Sequence, residues 1–238
     1  RIVNEVMNIY VLIVYKLGIA SIKWELEDLA FRYLEPEIYM DLELKVQKSQ
    51  KMRQMEVDGI RNVLSKELEE HEIKTKISGR PKHLYSIYKK MLKKDKPFEE
   101  IYDVIGLRIV AEKVRDCYEI MGLVHGLWTP VPKEFDDYIA MPKSNMYQSL
   151  HLVVVGPNGK PIEIQVRTEE MHQIAEDGIA AHWKYKGVEG DKKFDEKLNW
   201  MKQVLEWQNE SKDAKEFMEM LNVDFFEDEI FTFTPMGR

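Results

Sequence analysis

Polar side chains alternate with apolar ones along two consecutive runs of the chain, and together they could form a polar site. Residues 162–167 read Ile-Glu-Ile-Gln-Val-Arg. Because successive side chains of a β-strand point to opposite faces, Glu163, Gln165 and Arg167 share one face. The run before it, 147–155, sets three more polar side chains opposite its apolar ones: Tyr147, Ser149 and His151. The alternative is a solvated sheet face, which is usual in antiparallel sheets, and the alternation alone leaves both open.

A strongly basic stretch precedes these runs. Residues 74–96 contain nine Lys or Arg against one Asp, a local charge of +8. We predict a helix that begins near Pro81, on which Lys82, Ser86 and Lys90 recur every four residues and therefore share a face. Such a row suits a polyphosphate, because lysine supplies point charge and arginine supplies a bidentate fork. A solvated basic helix and an RNA-binding surface are the alternatives.

A carboxylate, Asp103, stands where a strand over 104–110 is predicted to begin, and Arg108 is the charged side chain within that strand. A carboxylate close to a row of phosphate-binding residues requires a cation between them. Mg²⁺ meets this requirement, since it takes hard oxygen ligands at about 2.1 Å. The alternative is that Asp103 only caps a turn.

Composition excludes several classes of protein. The chain has 238 residues, a formal charge of −7 and one cysteine, Cys117, which excludes a disulfide scaffold and a multi-cysteine zinc site. The longest apolar run near the start, 9–15, is far shorter than the ~20 residues that span a bilayer. Net acidity argues against a general nucleic-acid binder, and neither a P-loop nor a Rossmann glycine motif is present. We expect a cytoplasmic protein with no membrane partner, in which Cys117 is buried and inert.

The elements that hold these residues mix helices and strands without a repeat. The predicted helices cover 1–40, with a break at Gly18 and an end at Pro36, then 41–72 as one helix or two, 114–127 and 168–186. The predicted strands cover 104–110, 147–155 and 161–167, the last two joined by a turn at 156–160. We therefore predict an α+β fold around a mixed or antiparallel sheet.

Five ordered motifs resemble the synthetase domain of the RelA/SpoT family, whose members make the alarmone (p)ppGpp. They lie at 77–82, 102–108, 137–151, 163–168 and 175–184. The resemblance implies a nucleotidyltransferase-like fold with helices flanking a mixed sheet. It implies transfer of pyrophosphate from ATP to the 3′-hydroxyl of GDP or GTP, with AMP as the other product.

The resemblance also implies a role for each candidate residue. Asp103 and Glu163 would be the catalytic residues that hold Mg²⁺, and Glu163 could also take the proton of the 3′-hydroxyl. Arg80 and Arg108 would sandwich the adenine of ATP. The ATP phosphates would lie on Lys82, Ser86 and Lys90, and the acceptor guanine nucleotide on Tyr147, Lys143, Asn145, His151 and Gln165.

The same resemblance divides the chain. Residues 1–72 resemble the helical linker after the family's hydrolase domain, 73–190 the synthetase domain, and 227–238 the start of a TGS domain. We expect residues 191–226 to form an acidic, helical segment between them. We expect a piece of a longer protein whose missing C-terminal domains meet the ribosome and uncharged tRNA. The acidic sequence Glu-Phe-Asp-Asp at 134–137 resembles synthesis-dominated members, which predicts a weak or silent hydrolase in the parent.

Two other functions remain open from the sequence. One is a catalytically silent domain that binds guanine nucleotide and only regulates. The other is a nucleotidyltransferase that moves a nucleoside monophosphate and releases pyrophosphate. Neither the preference between GDP and GTP nor the oligomeric state follows from the sequence.

Overall fold

The computed structural model describes residues 2–101, 105–157, 159–178, 181, 199–204, 206–207 and 216. Within them the helices are α1 (Ile2–Glu5), α2 (Val11–Lys16), α3 (Ala20–Leu34), α4 (Pro36–Glu70), α5 (Leu84–Lys94), α6 (Val114–Leu127) and α7 (Glu169–Asp177). The strands are β1 (Thr75–Pro81), β2 (Ile105–Ala111), β3 (Thr129–Asp137), β4 (Leu150–Val155) and β5 (Pro161–Thr168). A π-helical turn at Val6–Tyr10 joins α1 to α2. No described helix is both long and apolar enough to cross a membrane.

A glycine and a proline separate the N-terminal helices. Gly18 has a φ of 77°, a left-handed conformation that favours glycine, and it lies between α2 and α3 as predicted. Pro36 is the first residue of α4, where its missing N–H leaves no hydrogen bond unmade. The predicted one or two helices after it are one helix of 35 residues. Helix α4 packs on the sheet through side chains spaced three or four apart: Val57, Ile60, Leu64 and Leu68.

The described strands form one mixed sheet in the order β1-β2-β5-β4-β3. Strands β2 and β5 are parallel, and the other neighbouring pairs are antiparallel. The predicted hairpin is β4–β5, whose turn is closed by a 2.9 Å hydrogen bond from the Gly156 N–H to the Lys160 carbonyl. The predicted α+β class, with helices around a mixed sheet, is confirmed.

One face of the sheet forms the main hydrophobic core, against α4 and α6. Alternate residues of the central strands point into it, including Leu107 of β2, Leu152 of β4 and Ile164 of β5. Cys117 of α6 is fully buried there, and burial raises the pKa of its thiol to about 11. This confirms Cys117 as a core residue, and it leaves the opposite face of the sheet for the polar side chains.

The sequence pattern does not predict β1 and β3, which are the two edge strands. Strand β1 lies inside the basic stretch, where Lys76 and Arg80 conceal its alternation. Strand β3 contains Pro130 and Pro132, which are tolerated at a sheet edge but not within a central strand. Charge and proline at these positions therefore protect the sheet edges and hide the strands from sequence patterns.

Three boundaries differ from the prediction. Helix α5 begins at Leu84, because Pro81 is still part of β1. Strand β4 begins at Leu150, because the Tyr147 carbonyl closes a turn by accepting the Lys143 N–H. Helix α7 ends before Gly178, which has a φ of 58°, and most of the predicted remainder lies outside the described residues. Most of 191–226 and all of 227–238 also lie outside them.

Candidate active site

A cavity of about 330 Å³ lies on the polar side of the sheet, lined by strands, α5, the loop before β4 and the N-terminal helices. Arg108 is not part of its lining, and Asp103 lies outside the described residues. A second cavity of about 390 Å³ shares Lys90, His151 and Glu163 with the first. The first cavity brings together ten of the predicted site residues: Arg80, Lys82, Ser86, Lys90, Lys143, Asn145, Tyr147, His151, Glu163 and Gln165.

Strand β5 supplies the floor of the cavity, with the predicted alternation. Glu163 and Gln165 face the cavity, and the Gln165 amide donates a 2.9 Å hydrogen bond to Glu163 Oε1. His151 pairs with Gln165 across β4 and β5, which explains why it faces the same way. Gln165 is 4% exposed and Arg167 is 1% exposed. The alternative of a solvated sheet face is therefore wrong for these positions.

A buried ion pair links the basic stretch to β5. The Lys82 Nζ lies 2.5 Å from Glu163 Oε2, and both side chains are largely buried. Burial raises the pKa of Glu163, but the Lys82 charge and the hydrogen bonds from Lys82 and Gln165 outweigh it and bring the pKa to about 2. Glu163 is thus a carboxylate at every physiological pH and is held by two donors.

Lys82 precedes α5, whereas Ser86 and Lys90 lie one turn apart on it. All three nevertheless line the same cavity, as the predicted row requires. Burial and the neighbouring Lys82 lower the pKa of Lys90 to about 8. Two cations held this close in a partly buried site favour a polyanionic ligand, which would relieve their mutual repulsion.

Aromatic and polar side chains form the other side of the cavity. The Tyr147 hydroxyl lies 2.8 Å from His151 Nε2, and the Lys143 ammonium lies 5.7 Å from the centre of the Tyr147 ring. Burial lowers the pKa of His151 to about 4, so the imidazole is neutral at pH 7. The Asn145 side chain accepts the Tyr147 N–H at 3.2 Å and fixes the loop. This side combines one aromatic ring with neutral hydrogen-bonding groups and one cation, Lys143.

Two arginines beneath the cavity share one carboxylate, which the sequence did not assign. Glu176 Oε1 lies 3.0 Å from Arg108 and 3.1 Å from Arg167. Burial and the Arg167 charge lower the pKa of Arg108 to about 10. The sequence could have predicted an acidic partner at this place, because the two arginines lie on the same face of neighbouring strands and need a counterion there. Glu176 itself is on α7, and its reach to them depends on tertiary packing.

The N-terminal helices also line the cavity, which their assignment as a linker did not predict. Tyr15, Lys23 and Trp24 contribute to its wall. The Trp24 ring stacks on His83 with ring centres 4.8 Å apart, and the Arg80 guanidinium lies 4.9 Å from the centre of the indole. A single tryptophan in a helical segment gives no sequence signal for such a contact.

Glu163 can serve as a metal ligand, since it is an ionised carboxylate whose oxygens already contact a cation. Among the described residues, no group of three or more His, Cys, Asp or Glu side chains is placed to hold a metal ion. Ionised oxygen donors are what Mg²⁺ takes, so the residue present fits that ion. The second predicted ligand, Asp103, lies outside the described residues.

Residues 79–190 match the family model described as the region found in RelA / SpoT proteins. Residues 79–190 therefore belong to the RelA/SpoT family region. Along its whole length the chain is 49% identical to a GTP pyrophosphokinase from Myxococcus xanthus and covers 31% of that protein. Over its whole length it is also 43% identical to the bifunctional (p)ppGpp synthase/hydrolase RelA of Mycobacterium tuberculosis, and covers 33% of it. The chain thus spans about a third of the length of these RelA/SpoT relatives.

Solved structures of smaller synthetases were also matched. The small alarmone synthetase 1 from Bacillus subtilis, bound to its product pppGpp, is 26% identical with a TM-score of 0.45, over 69% of this chain and 100% of that one. The small alarmone synthetase 2 from the same organism is 23% identical with a TM-score of 0.46, over 75% and 97% of the two chains.

Proposed function

We propose that residues 73–190 form a (p)ppGpp synthetase that transfers pyrophosphate from ATP to the 3′-hydroxyl of GDP or GTP. The observation that carries the proposal is the arrangement of the cavity. A cationic row lies on one side, an aromatic ring with neutral polar groups and Lys143 lies on the other, and Glu163 lies on the floor in contact with Lys82. The names of the relatives, GTP pyrophosphokinase among them, support the same reaction.

On the donor side, ATP lies along the basic residues. Lys82, Ser86 and Lys90 bind its phosphates, and Arg80 and Arg108 hold the adenine. Mutual repulsion between the lysines falls when the phosphates bind, so the site is electrostatically ready for its ligand. The residues therefore hold ATP by its charged end and by its base.

On the acceptor side, Tyr147 stacks on the guanine and Lys143, Asn145, His151 and Gln165 surround the nucleotide. A neutral His151 donates or accepts hydrogen bonds without adding charge. The acceptor's 3′-oxygen forms a bond to the β-phosphorus of ATP, and the bond from that phosphorus to the α,β-bridging oxygen breaks. AMP leaves with the bridging oxygen, and the hydroxyl proton passes to solvent. Holding the two nucleotides in line supplies much of the rate.

Glu163, together with Asp103, would hold Mg²⁺, which supplies positive charge at the phosphates when bound. A carboxylate with a pKa of about 2 is a weak base, so we assign Glu163 to cation binding rather than to storage of the 3′-hydroxyl proton. Lys82, which neutralises Glu163 in the structure, is then available to the phosphates. We further propose that the parent acts in the cytoplasm and meets the ribosome and uncharged tRNA through its other domains.

The test is incubation of γ-labelled ATP with Mg²⁺ and either GDP or GTP, followed by separation of the products by charge. We expect label in a guanosine tetra- or pentaphosphate, and Glu163→Gln should lower the rate by about 100-fold or more. Glu169→Gln is the matched control, because Glu169 is an exposed carboxylate bound to Lys76. Release of pyrophosphate instead of AMP would identify a nucleotidyltransferase, and nucleotide binding without turnover would identify a silent domain.

A further inference from the structure

Trp24 of α3 lies between two side chains of the basic stretch. Its ring stacks on the His83 ring with an angle of 22° between the planes. The Arg80 guanidinium lies 4.9 Å from the centre of the same indole. Trp24 thus fixes the position of a cation that the proposed function assigns to the adenine of ATP.

The contact belongs to a larger interface between α3 and α5. Asp28 accepts the Tyr85 N–H at 2.8 Å in the first turn of α5, and its other oxygen lies 3.4 Å from His83 Nδ1. Glu27, which is 3% exposed, lies 2.9 Å from the Lys89 Nζ. Three side chains on one face of α3 therefore dock it on the N-terminal approach to α5 and on α5 itself, the helix that carries Ser86 and Lys90.

Trp24 forms part of the cavity wall and does not fill the cavity. About 330 Å³ of space remains with the indole in place, and Trp24 and Arg80 both line it. Arg80 pairs with Gly106 on β2, and Arg108 follows two residues later on the same face. The Arg80 charge contributes to the lowered pKa of Arg108, so the two guanidinium groups are close enough to interact, and of the two only Arg80 lines the cavity.

We propose that Trp24 is a positioning residue for Arg80, so that tight binding of ATP requires α3 to be docked on α5. The proposal rests on the proposed function, because it takes Arg80 as the adenine contact. A guanidinium held against an indole has lost its rotamer freedom before ATP arrives, and the adenine binds with a smaller loss of entropy. The N-terminal helices are then part of the ATP site, and the acceptor site is independent of Trp24.

The experiment measures binding of a non-hydrolysable ATP analogue and of GDP by calorimetry, together with the KM of each substrate. We expect Trp24→Ala to weaken binding of the ATP analogue roughly tenfold and to leave the affinity for GDP within about twofold. Trp24→Phe, which keeps an aromatic face, should recover most of the loss. Tyr33→Ala is the control, because Tyr33 is a 74%-exposed aromatic residue on the same helix.

A double-mutant cycle separates positioning from a direct contact. In an Arg80→Ala background, Trp24→Ala should have no further effect on ATP affinity, since there is no guanidinium left to position. Additive losses would overturn the proposal, as would equal losses for ATP and GDP. Tighter ATP binding by Trp24→Ala would also overturn the proposal, because it would show that the Trp24 side chain obstructs the ATP site. If the wild-type chain itself neither binds the analogue nor transfers pyrophosphate, the proposed function fails together with this inference.

Discussion

His151 and Glu163 are both largely buried, but their charged neighbours differ, and so do their protonation states. Burial lowers the pKa of His151 to about 4, because the opposing charges of Glu163 and Asp136 do not outweigh it, and the imidazole is neutral. Glu163 has Lys82 against it, so its pKa falls to about 2 and it is charged. Neither side chain changes its charge between pH 5 and 8, whereas Lys90 in the same cavity, with a pKa of about 8, loses its charge near the upper end of this range.

The neutrality of His151 predicts a pH-dependent stability. An unfolded histidine takes up a proton near pH 6.5, whereas the folded one does so only near pH 4. The unfolded state thus binds more protons in this window, and the free energy of unfolding falls as the pH falls from 6.5 to 4. The contribution of His151 is at most about 3 kcal/mol.

Urea denaturation at several pH values checks this prediction. His151→Gln should flatten the curve of unfolding free energy between pH 6.5 and 4, relative to wild type. His71→Gln serves as the control for loss of a histidine, because His71 is exposed at the end of α4 and does not line the cavity. A wild-type curve that is already flat in this window would show that His151 is protonated in the folded state.

The members of the site on β4 and β5 were predictable because strand alternation is a local property of the sequence. Glu163, Gln165 and His151 share a face for that reason alone. Glu176 and Trp24 were not predictable, because each reaches the site through packing between elements distant in the chain. The family resemblance assigned roles to motif residues, but it treated Trp24 as linker.

At the scale of elements, α7 ends where it touches the break between α2 and α3. Gly178, the residue after α7, has φ 58° and ψ −134°, a conformation that side chains disfavour. A Cβ added to it would lie 2.3 Å from the Leu17 carbonyl oxygen and 2.7 Å from the Gly18 carbonyl carbon. Both are backbone atoms and cannot move aside as a side chain would.

Gly178→Ala should therefore lower the free energy of unfolding by about 2 kcal/mol or more, through backbone strain and the clash. The substitution should also expose the α2–α3 break to proteolysis, because the end of α7 can no longer pack against that break. Gly122→Ala is a control of opposite sign. Gly122 lies within α6 with open space around its Cα, so alanine should stabilise the protein by about 0.5–1 kcal/mol. Chemical denaturation measures both, and an unchanged Gly178→Ala would contradict the clash.

The elements with one clear period were predicted well. Helix α6 covers the predicted 114–127, and the turn between β4 and β5 lies where glycine and proline place it. The edge strands β1 and β3 were hidden because their residues serve solubility and ligand binding as well as pairing. A helix start is also hard to place when a strand runs directly into it, as β1 does before α5.

At the scale of the whole molecule, charge is unevenly distributed. The chain has a formal charge of −7, which repels ATP at long range. The described lining of the 330 Å³ cavity carries five Lys or Arg side chains against the single carboxylate of Glu163. The attraction of ATP to the cavity cations thus has to overcome its repulsion by the net negative charge of the chain. Both interactions depend on ionic strength.

We therefore expect the KM for ATP to rise about threefold or more between 0.05 and 0.5 M KCl, because salt screens the exposed part of the attraction. Lys143→Gln should weaken this dependence, since Lys143 lines the cavity. Lys66→Gln removes an equal charge from the exposed surface of α4 and should preserve it. Steady-state kinetics at fixed Mg²⁺ measures the effect, and a salt-independent KM would contradict it.

The central strand of the sheet, β5, is also the last in chain order of the five strands that the structure describes. As the polypeptide leaves the ribosome, the β1–β2 and β3–β4 pairs emerge first, and no strand yet lies between them. A two-stranded pair is marginally stable by itself, so we expect the sheet to form only after residues 161–168 have been synthesised. Glu163 and Gln165 arrive on that same strand. The nascent protein therefore gains, in one event, both its candidate catalytic carboxylate and the strand that joins the two strand pairs, and α7 follows.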